Sequence, residues 1–116
     1  MVEVSVMKEL TTLSEVRELI ENHSFAIVYV SRPDCGVCHA LLPQVEELLI
    51  QFPQIKCGHV NADEVKGIAG EFTIFTVPVI LFFVDGKEYL REGRFIHMQL
   101  LEEKIRKIYE MYEESE

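Results

Sequence analysis

Two cysteines separated by two residues are the part of this chain best suited to chemistry. Cys35 and Cys38 stand in the segment Asp34-Cys35-Gly36-Val37-Cys38-His39, which follows an apolar, β-branched run and opens a segment with helical periodicity. The first N–H groups of a helix have no partner within the helix and its dipole is positive there, so the thiolate form of Cys35 is favoured. The spacing places Cys38 one helical turn along, close enough for a disulfide. It therefore predicts a reversible two-electron dithiol switch.

The composition predicts one globular domain over residues 1–116. Hydrophobic residues make up 48% of the chain and charged residues 27%, a balance that can bury a full core. Acidic residues outnumber Lys and Arg by 20 to 11, which argues against a nucleic-acid surface. The longest apolar run, Val77–Val84, is far shorter than a membrane span, and no basic segment precedes an apolar stretch at Met1-Val2-Glu3-Val4. We therefore expect no nucleic-acid partner, no membrane insertion and no export.

The cysteine count indicates a reducing compartment. Three cysteines are an odd number and too few for a secreted scaffold held together by disulfides, so we expect a cytoplasmic protein. In that setting the pair Cys35 and Cys38 is either catalytic or metal-binding. Cys57 stands apart from the pair and is interpreted as a small buried hydrophobic residue.

The elements that position the two thiols alternate between strand and helix. The pattern predicts a short strand at Val4 and Val6, a helix from Leu13 to about Asn22 behind a capping box at Thr12–Glu15, a strand at Phe25–Val30, a helix carrying the apolar stripe from Val37 to Phe52, and a strand at Ile55–Asn61. Phe25–Val30 is apolar at every position, as expected of a central strand covered on both faces. Pro43 lies inside the second helix, where a proline kinks the axis at a cost of about 3 kcal/mol or more.

The second part of the chain predicts a hairpin and a final helix. We expect a short helix capped by Asp63 and ending near Gly70, a buried strand within Val77–Val84, a turn at Asp85-Gly86, an edge strand at Lys87–Glu92, and a last helix whose stripe is Leu101, Ile105, Ile108 and Tyr112, widened by Leu100 and Tyr109. The order predicts an α/β fold with a central mixed sheet flanked by helices on both faces.

Several of these residues coincide with one family pattern. The chain resembles the thioredoxin family over nearly its whole length. The residues that carry the resemblance are the Cys35-Gly36-Val37-Cys38 motif after the central strand, Pro43 five residues beyond that motif, the cis-proline dipeptide Val77-Pro78, Gly93 before the last helix, and Asn61 and Asp63 after the third strand. The resemblance implies a single thioredoxin-like domain with the thioredoxin fold.

The resemblance also implies an activity, a thiol-disulfide oxidoreductase that reduces protein disulfides. Cys35 would be the nucleophile and Cys38 the resolving thiol, with Pro78 beside them holding an extended substrate chain together with Val77, Gly36 and Val37. Such a protein binds no cofactor. It would receive electrons from NADPH through a flavoprotein reductase, and we expect it to act as a monomer.

Four positions depart from the family pattern. Asp34 and Val37 stand where thioredoxins usually have Trp and Pro, and Asp34 places next to Cys35 a carboxylate that opposes its thiolate. Tyr29 replaces a buried Asp, and His59 replaces a nearby Lys. One hypothesis makes His59 the base that deprotonates Cys38 while Tyr29 orients it by a hydrogen bond. The other makes His59 a partly buried histidine whose hydrogen bonds are satisfied.

Three other functions fit parts of the sequence. The fold could serve as a protein-interaction or redox-sensing module with little turnover. Asp34 and Tyr29, which depart from the family pattern, would suit such a role. Cys35, Cys38, Cys57 and His59 could form a tetrahedral zinc site. The motif Cys35–His39 also spells the signature of covalent haem attachment, which would require export.

Overall fold

The computed structural model describes residues 7–93 and 95–114, which form a five-stranded sheet and helices on both of its faces. The elements are β1 (Met7–Leu10), α1 (Leu13–Glu21), β2 (Phe25–Ser31), α2 (Gly36–Leu49), β3 (Lys56–Asn61), α3 (Ile68–Phe72), β4 (Val79–Val84), β5 (Lys87–Glu92) and α4 (Met98–Glu114). The strand predicted at Val4 and Val6 lies outside the described residues.

The sheet is mixed, and β2 is its centre. The strand order is β1-β3-β2-β4-β5. β1, β3 and β2 run parallel, whereas β4 pairs antiparallel with β2 and β5 antiparallel with β4. Every residue of β2 is buried, because strands flank it on both sides and helices cover both of its faces. The predictions of a mixed sheet and of a fully covered central strand are confirmed.

Alternate residues of β2 contribute to two separate cores. Phe25, Ile27 and Tyr29 pack on one face with buried residues of α2 and α4. Ala26, Val28 and Val30 pack on the other face with residues of α1 and the α3 region. This division follows from the two-residue period of a strand. It places Tyr29 under α2, the helix that carries Cys38.

Local sequence signals set several boundaries as predicted. The Thr12 hydroxyl oxygen accepts the Glu15 N–H at 3.1 Å, and the Glu15 carboxylate accepts the Thr12 N–H at 3.1 Å, which completes the capping box of α1. Asp85 and Gly86 both have positive φ, 50° and 84°, the conformation that joins β4 to β5 in a tight hairpin. β5 lies at an edge of the sheet, as predicted.

The prediction for α3 was wrong at both ends. The helix starts at Ile68 and ends at Phe72, so Gly70 lies inside it. Asp63 does not cap it, because its backbone N–H donates to the Asn61 side chain at 2.9 Å and so belongs to a turn after β3. At the C-terminal end Thr73, with φ 54°, takes the left-handed position expected of a glycine.

Two details of the other helices also differ from expectation. α2 ends at Leu49, and Phe52 is buried beyond the helix end. Leu100 is 48% exposed and does not widen the stripe of α4, whose buried residues are Leu101 and Ile105. No helix in residues 7–93 and 95–114 combines the length and apolar character needed to cross a membrane.

The topology gathers the predicted site residues at one end of the sheet. β2 and β3 run parallel and end together, with Ser31 opposite Asn61. β4 is antiparallel to β2 and begins at that same end, with Val79 opposite Val30. The connection to Cys35 leaves from this end, and Val77 and Pro78 lead into β4 there.

Candidate active site

A tight turn delivers the chain from β2 to Cys35. The Cys35 N–H donates to the Arg32 carbonyl at 3.2 Å, which closes a four-residue turn with Pro33 at its second position, where the fixed φ of proline is favourable. The exposed His39 ring donates its Nε2–H to the Pro33 carbonyl at 2.8 Å. The turn is therefore tied to the first turn of α2.

Cys35 is the N-cap residue of α2. Its backbone is extended, with φ −98° and ψ 99°, and its carbonyl accepts the His39 N–H at 3.2 Å. Its sulfur accepts the Cys38 N–H at 3.1 Å. A side-chain acceptor at this position satisfies one of the free N–H groups of the helix. The same N–H and the helix dipole stabilise negative charge on that sulfur, so the geometry favours a Cys35 thiolate.

The two predicted thiols are joined in a disulfide whose members differ in exposure. Cys35 and Cys38 are bonded, with their Cα atoms 5.3 Å apart, within the usual range for a disulfide. Cys35 is partly exposed, whereas no part of Cys38 is exposed. Cys35 is therefore the more accessible member of the pair.

Tyr29 contacts Cys38 through the backbone. Its hydroxyl donates to the Cys38 carbonyl at 2.6 Å. Burial raises the pKa of Tyr29 to about 12, so the hydroxyl keeps its proton at neutral pH. The expected hydrogen bond from Tyr29 to His59 was wrong, because the single hydroxyl proton is directed to Cys38. The rings of Tyr29 and His59 are neighbours, with centroids 5.8 Å apart.

His59 has hydrogen-bond partners at both ring nitrogens. Nδ1 lies 2.6 Å from a carboxylate oxygen of Glu9, and Nε2 lies 2.6 Å from the hydroxyl oxygen of Ser31. Neither partner was predicted from the sequence. The sequence did contain one signal for Ser31, which is a polar residue that continues the buried run of β2. Glu9 could be identified only from the strand register, which pairs it with His59.

Val77 and Pro78 lie at the same end of the sheet as Cys35. The peptide bond between them is cis, and Pro78 is buried while Val77 is half-buried. Gly36 is exposed, and 50% of Val37 is exposed. Asp34 is exposed at the corner of the turn before Cys35. The side of the disulfide that faces solvent is thus bordered by Asp34, Gly36 and Val37.

The residues of the zinc hypothesis are not brought together. Cys57 pairs with Ile27, eight residues before Cys35 in the chain, and therefore lies toward the opposite end of the sheet. Its thiol donates to the Ile55 carbonyl at 3.6 Å, and burial raises its pKa to about 12. Within the described part of the chain no group of three or more His, Cys, Asp or Glu could hold a metal ion. Cys38 is completely buried, so the folded protein does not present both sulfurs of the haem signature at its surface.

The fold and the site define a class of protein. A mixed sheet with a CxxC disulfide at the start of the helix that follows the central strand is the arrangement of a thiol-disulfide oxidoreductase. The family model named Thioredoxin matches residues 6–107. The chain therefore belongs to the thioredoxin family, which confirms the resemblance drawn from its motifs, and such proteins need no bound cofactor.

Known proteins similar to the chain agree with this assignment. The chain is 52% identical over 110 residues to the thioredoxin-like protein YdfQ of Bacillus subtilis (strain 168), a match that covers 92% of this chain and 98% of the relative. The thioredoxin structure from Trypanosoma brucei brucei has a TM-score of 0.82 at 18% identity, covering 90% and 91% of the two chains. The Plasmodium falciparum thioredoxin has a TM-score of 0.80 at 22% identity, covering 87% and 98%. These two structures establish the thioredoxin fold.

Tyr29→Phe tests the contact between Tyr29 and Cys38. Losing one buried hydrogen bond should lower the free energy of unfolding by about 1 kcal/mol near neutral pH. The pKa of Tyr29 is about 12 in the folded state and about 10 in the unfolded state. The folded state therefore holds the protonated form more strongly, and this contribution to stability is fully present below pH 10 and is lost as the pH rises to 12. The wild type should therefore lose about 2–3 kcal/mol more than the variant over that window. Urea titrations at several pH values measure both effects, and parallel pH curves would contradict this account.

Asp34→Asn tests the charge beside Cys35. Removing the carboxylate should increase the thiolate fraction of reduced Cys35 near neutral pH, so alkylation by iodoacetamide should be about two- to five-fold faster at low ionic strength. The difference should shrink in high salt. Glu47→Gln, which removes an exposed charge from the outer side of α2, is the control and should not change the rate. Equal rates for Asp34→Asn and the wild type at low salt would remove Asp34 from the tuning of Cys35.

Proposed function

We propose that this protein reduces disulfides of other proteins through its Cys35–Cys38 couple. The observation that carries the proposal is the difference between the two sulfurs. Cys35 is partly exposed at a helix start that favours its thiolate, and Cys38 is completely buried one turn further along. Cys35 would act as the nucleophile and Cys38 as the resolving thiol.

The reaction proceeds by two displacements. The Cys35 thiolate attacks one sulfur of a substrate disulfide, which forms a mixed disulfide and releases the other substrate sulfur as a thiolate. The Cys38 thiolate then attacks Cys35, which breaks the mixed disulfide and releases the second substrate sulfur. The substrate gains two electrons, and the protein is left with the Cys35–Cys38 disulfide seen in the structure.

The surface around the disulfide suits a protein substrate. Gly36 and Val37 border Cys35 on the solvent side, and Val77 and Pro78 lie at the same end of the sheet, where they would contact an extended substrate chain. Two further apolar side chains, Phe75 at 88% exposure and Phe95 at 93%, lie in the connections that adjoin this end of β4 and β5. Exposed apolar residues around a reactive group are typical of a binding surface for another protein.

Electrons would come from NADPH through a flavoprotein reductase that reduces the exposed disulfide. The protein itself would hold no cofactor during turnover and would act as a monomer. A cytoplasmic location belongs to this proposal, because the couple works as a reductant only where its dithiol form is continually restored.

One observation favours a second function, a redox-sensing module with little turnover. Tyr29 keeps its proton at neutral pH and binds the Cys38 backbone. It therefore does not accept the proton that Cys38 must lose before it resolves a mixed disulfide. A sensor would undergo the same oxidation of Cys35 and Cys38 but would release reduced substrate slowly.

Reduction of insulin separates the two functions. With dithiothreitol, and then with NADPH and a thioredoxin reductase, the wild type should accelerate insulin reduction well above the uncatalysed rate. Cys35→Ser and Cys38→Ser should each lose this acceleration, and Cys57→Ala should keep it because Cys57 is buried away from the site. Cys38→Ser should also accumulate a mixed disulfide with substrate.

The outcomes identify the roles of the thiols. An adduct that forms in Cys35→Ser and requires Cys38 would reverse the two assignments. A wild type that forms its disulfide reversibly with an oxidant but leaves insulin unreduced would support the sensing function instead.

A further inference from the structure

Three hydrogen-bonded side chains lead from the protein surface to the buried end of β2. Glu9 is 68% exposed and contacts His59 Nδ1 at 2.6 Å. His59 is 14% exposed, and its Nε2 contacts the Ser31 hydroxyl at 2.6 Å. Ser31 is 3% exposed and is the one buried residue among the polar and charged residues of the described chain. The series therefore connects solvent with the interior.

The strand register places this series on the face of the sheet that α2 covers. Glu9, His59 and Tyr29 are paired neighbours across β1, β3 and β2. Ser31 follows Tyr29 by two residues and so lies on the same face of β2, the face covered by α2. Tyr29 already contacts the Cys38 carbonyl on that face. The inner end of the series thus lies on the face of β2 that α2 covers, the same face on which Tyr29 binds the Cys38 carbonyl.

For a neutral His59 ring, the chemistry of the three groups sets the direction of each hydrogen bond. A carboxylate only accepts, so the Nδ1–H of His59 donates to Glu9. In the neutral ring Nε2 is then the acceptor, and the Ser31 hydroxyl donates to it. The Ser31 oxygen keeps lone pairs that can accept a further proton. Other titratable or charged groups on this side are Tyr29 beside the ring and the ion pair of Arg32 and Asp63, 3.5 Å apart, beyond the strand ends.

We propose that Ser31, His59 and Glu9 form a proton relay that deprotonates Cys38 during resolution of the mixed disulfide. The proposal rests on the proposed function. Ser31 accepts the thiol proton of Cys38 and passes its own hydroxyl proton to Nε2 of His59. The resulting imidazolium faces the Glu9 carboxylate, which stabilises its charge. The Cys38 thiolate attacks Cys35, the substrate sulfur leaves as a thiolate, and His59 returns its extra proton to water.

Burial explains why Cys38 needs such a relay. No part of Cys38 is exposed, so water does not reach its sulfur directly. The nearest phenol, Tyr29, remains protonated. A buried serine hydroxyl is costly unless it is hydrogen-bonded, and Ser31 is bonded to the imidazole of His59, whose Nε2 is a proton acceptor when the ring is neutral.

The test follows the reaction of the reduced protein with a chromogenic aryl disulfide. Attack by Cys35 releases the first coloured thiolate, and closure by Cys38 releases the second. Near neutral pH, His59→Asn and Ser31→Ala should slow the second release about ten-fold or more and leave the first release unchanged. In His59→Asn the second rate should rise about ten-fold per pH unit, because hydroxide that reaches the sulfur during local opening of the fold replaces the relay. The wild type should depend less steeply on pH.

A surface variant keeps the test decisive if a buried variant does not fold. Glu9→Gln removes only the exposed carboxylate. It should slow the second release by about two- to five-fold, because an ion pair at the surface contributes only a small free energy. Glu64→Gln removes an exposed charge from the connection between β3 and α3 and should change neither release. Adding Glu9→Gln to His59→Asn should cause no further slowing, because the two residues act in one series.

The outcomes separate the relay from the function on which it rests. Equal second rates and pH profiles for the wild type, His59→Asn and Glu9→Gln would overturn the relay while leaving the reductase intact. A wild type that releases the first thiolate and never the second would overturn the proposed reductase, and the relay with it.

Discussion

The hydrogen bond from the Cys38 N–H to the Cys35 sulfur is the interaction on which the site depends. It makes Cys35 the cap of α2, so the same contact that starts the helix also places a sulfur in its positive field. The turn closed by Arg32 and the contact between His39 and Pro33 hold that cap in place. The environment that favours a thiolate at Cys35 is therefore a consequence of how the chain leaves the central strand and enters the helix.

The central strand determines what lies beneath the second thiol. Because β2 is buried on both faces, the side chains under α2 must either be apolar or find internal partners. Tyr29 satisfies its hydroxyl on the Cys38 backbone, and Ser31 satisfies its hydroxyl on His59, which in turn contacts Glu9 at the surface. This chain therefore satisfies the hydroxyl groups on the α2 side of its central strand internally and keeps the Glu9 carboxylate largely in solvent.

Local and periodic signals allowed most of the fold to be predicted. The apolar run of β2, the capping box of α1 and the Asp85-Gly86 turn depend on neighbouring residues, and each has the predicted conformation. The start of α3 was not predictable in this way, because the Asn61 side chain engages the Asp63 backbone and delays the helix to Ile68. The Glu9–His59 contact joins residues far apart in the chain, and only the strand register places them side by side.

Helix position and burial distinguish Cys35 from Cys38, and the roles proposed for the two thiols rest on that difference. The most direct measurement is the order of alkylation, in which the reduced protein is treated with substoichiometric iodoacetamide near neutral pH and the modified peptides are quantified by mass spectrometry. We expect modification of Cys35 first, with Cys38 and Cys57 protected until the protein is unfolded. Equal or faster modification of Cys38 in the folded protein would contradict it.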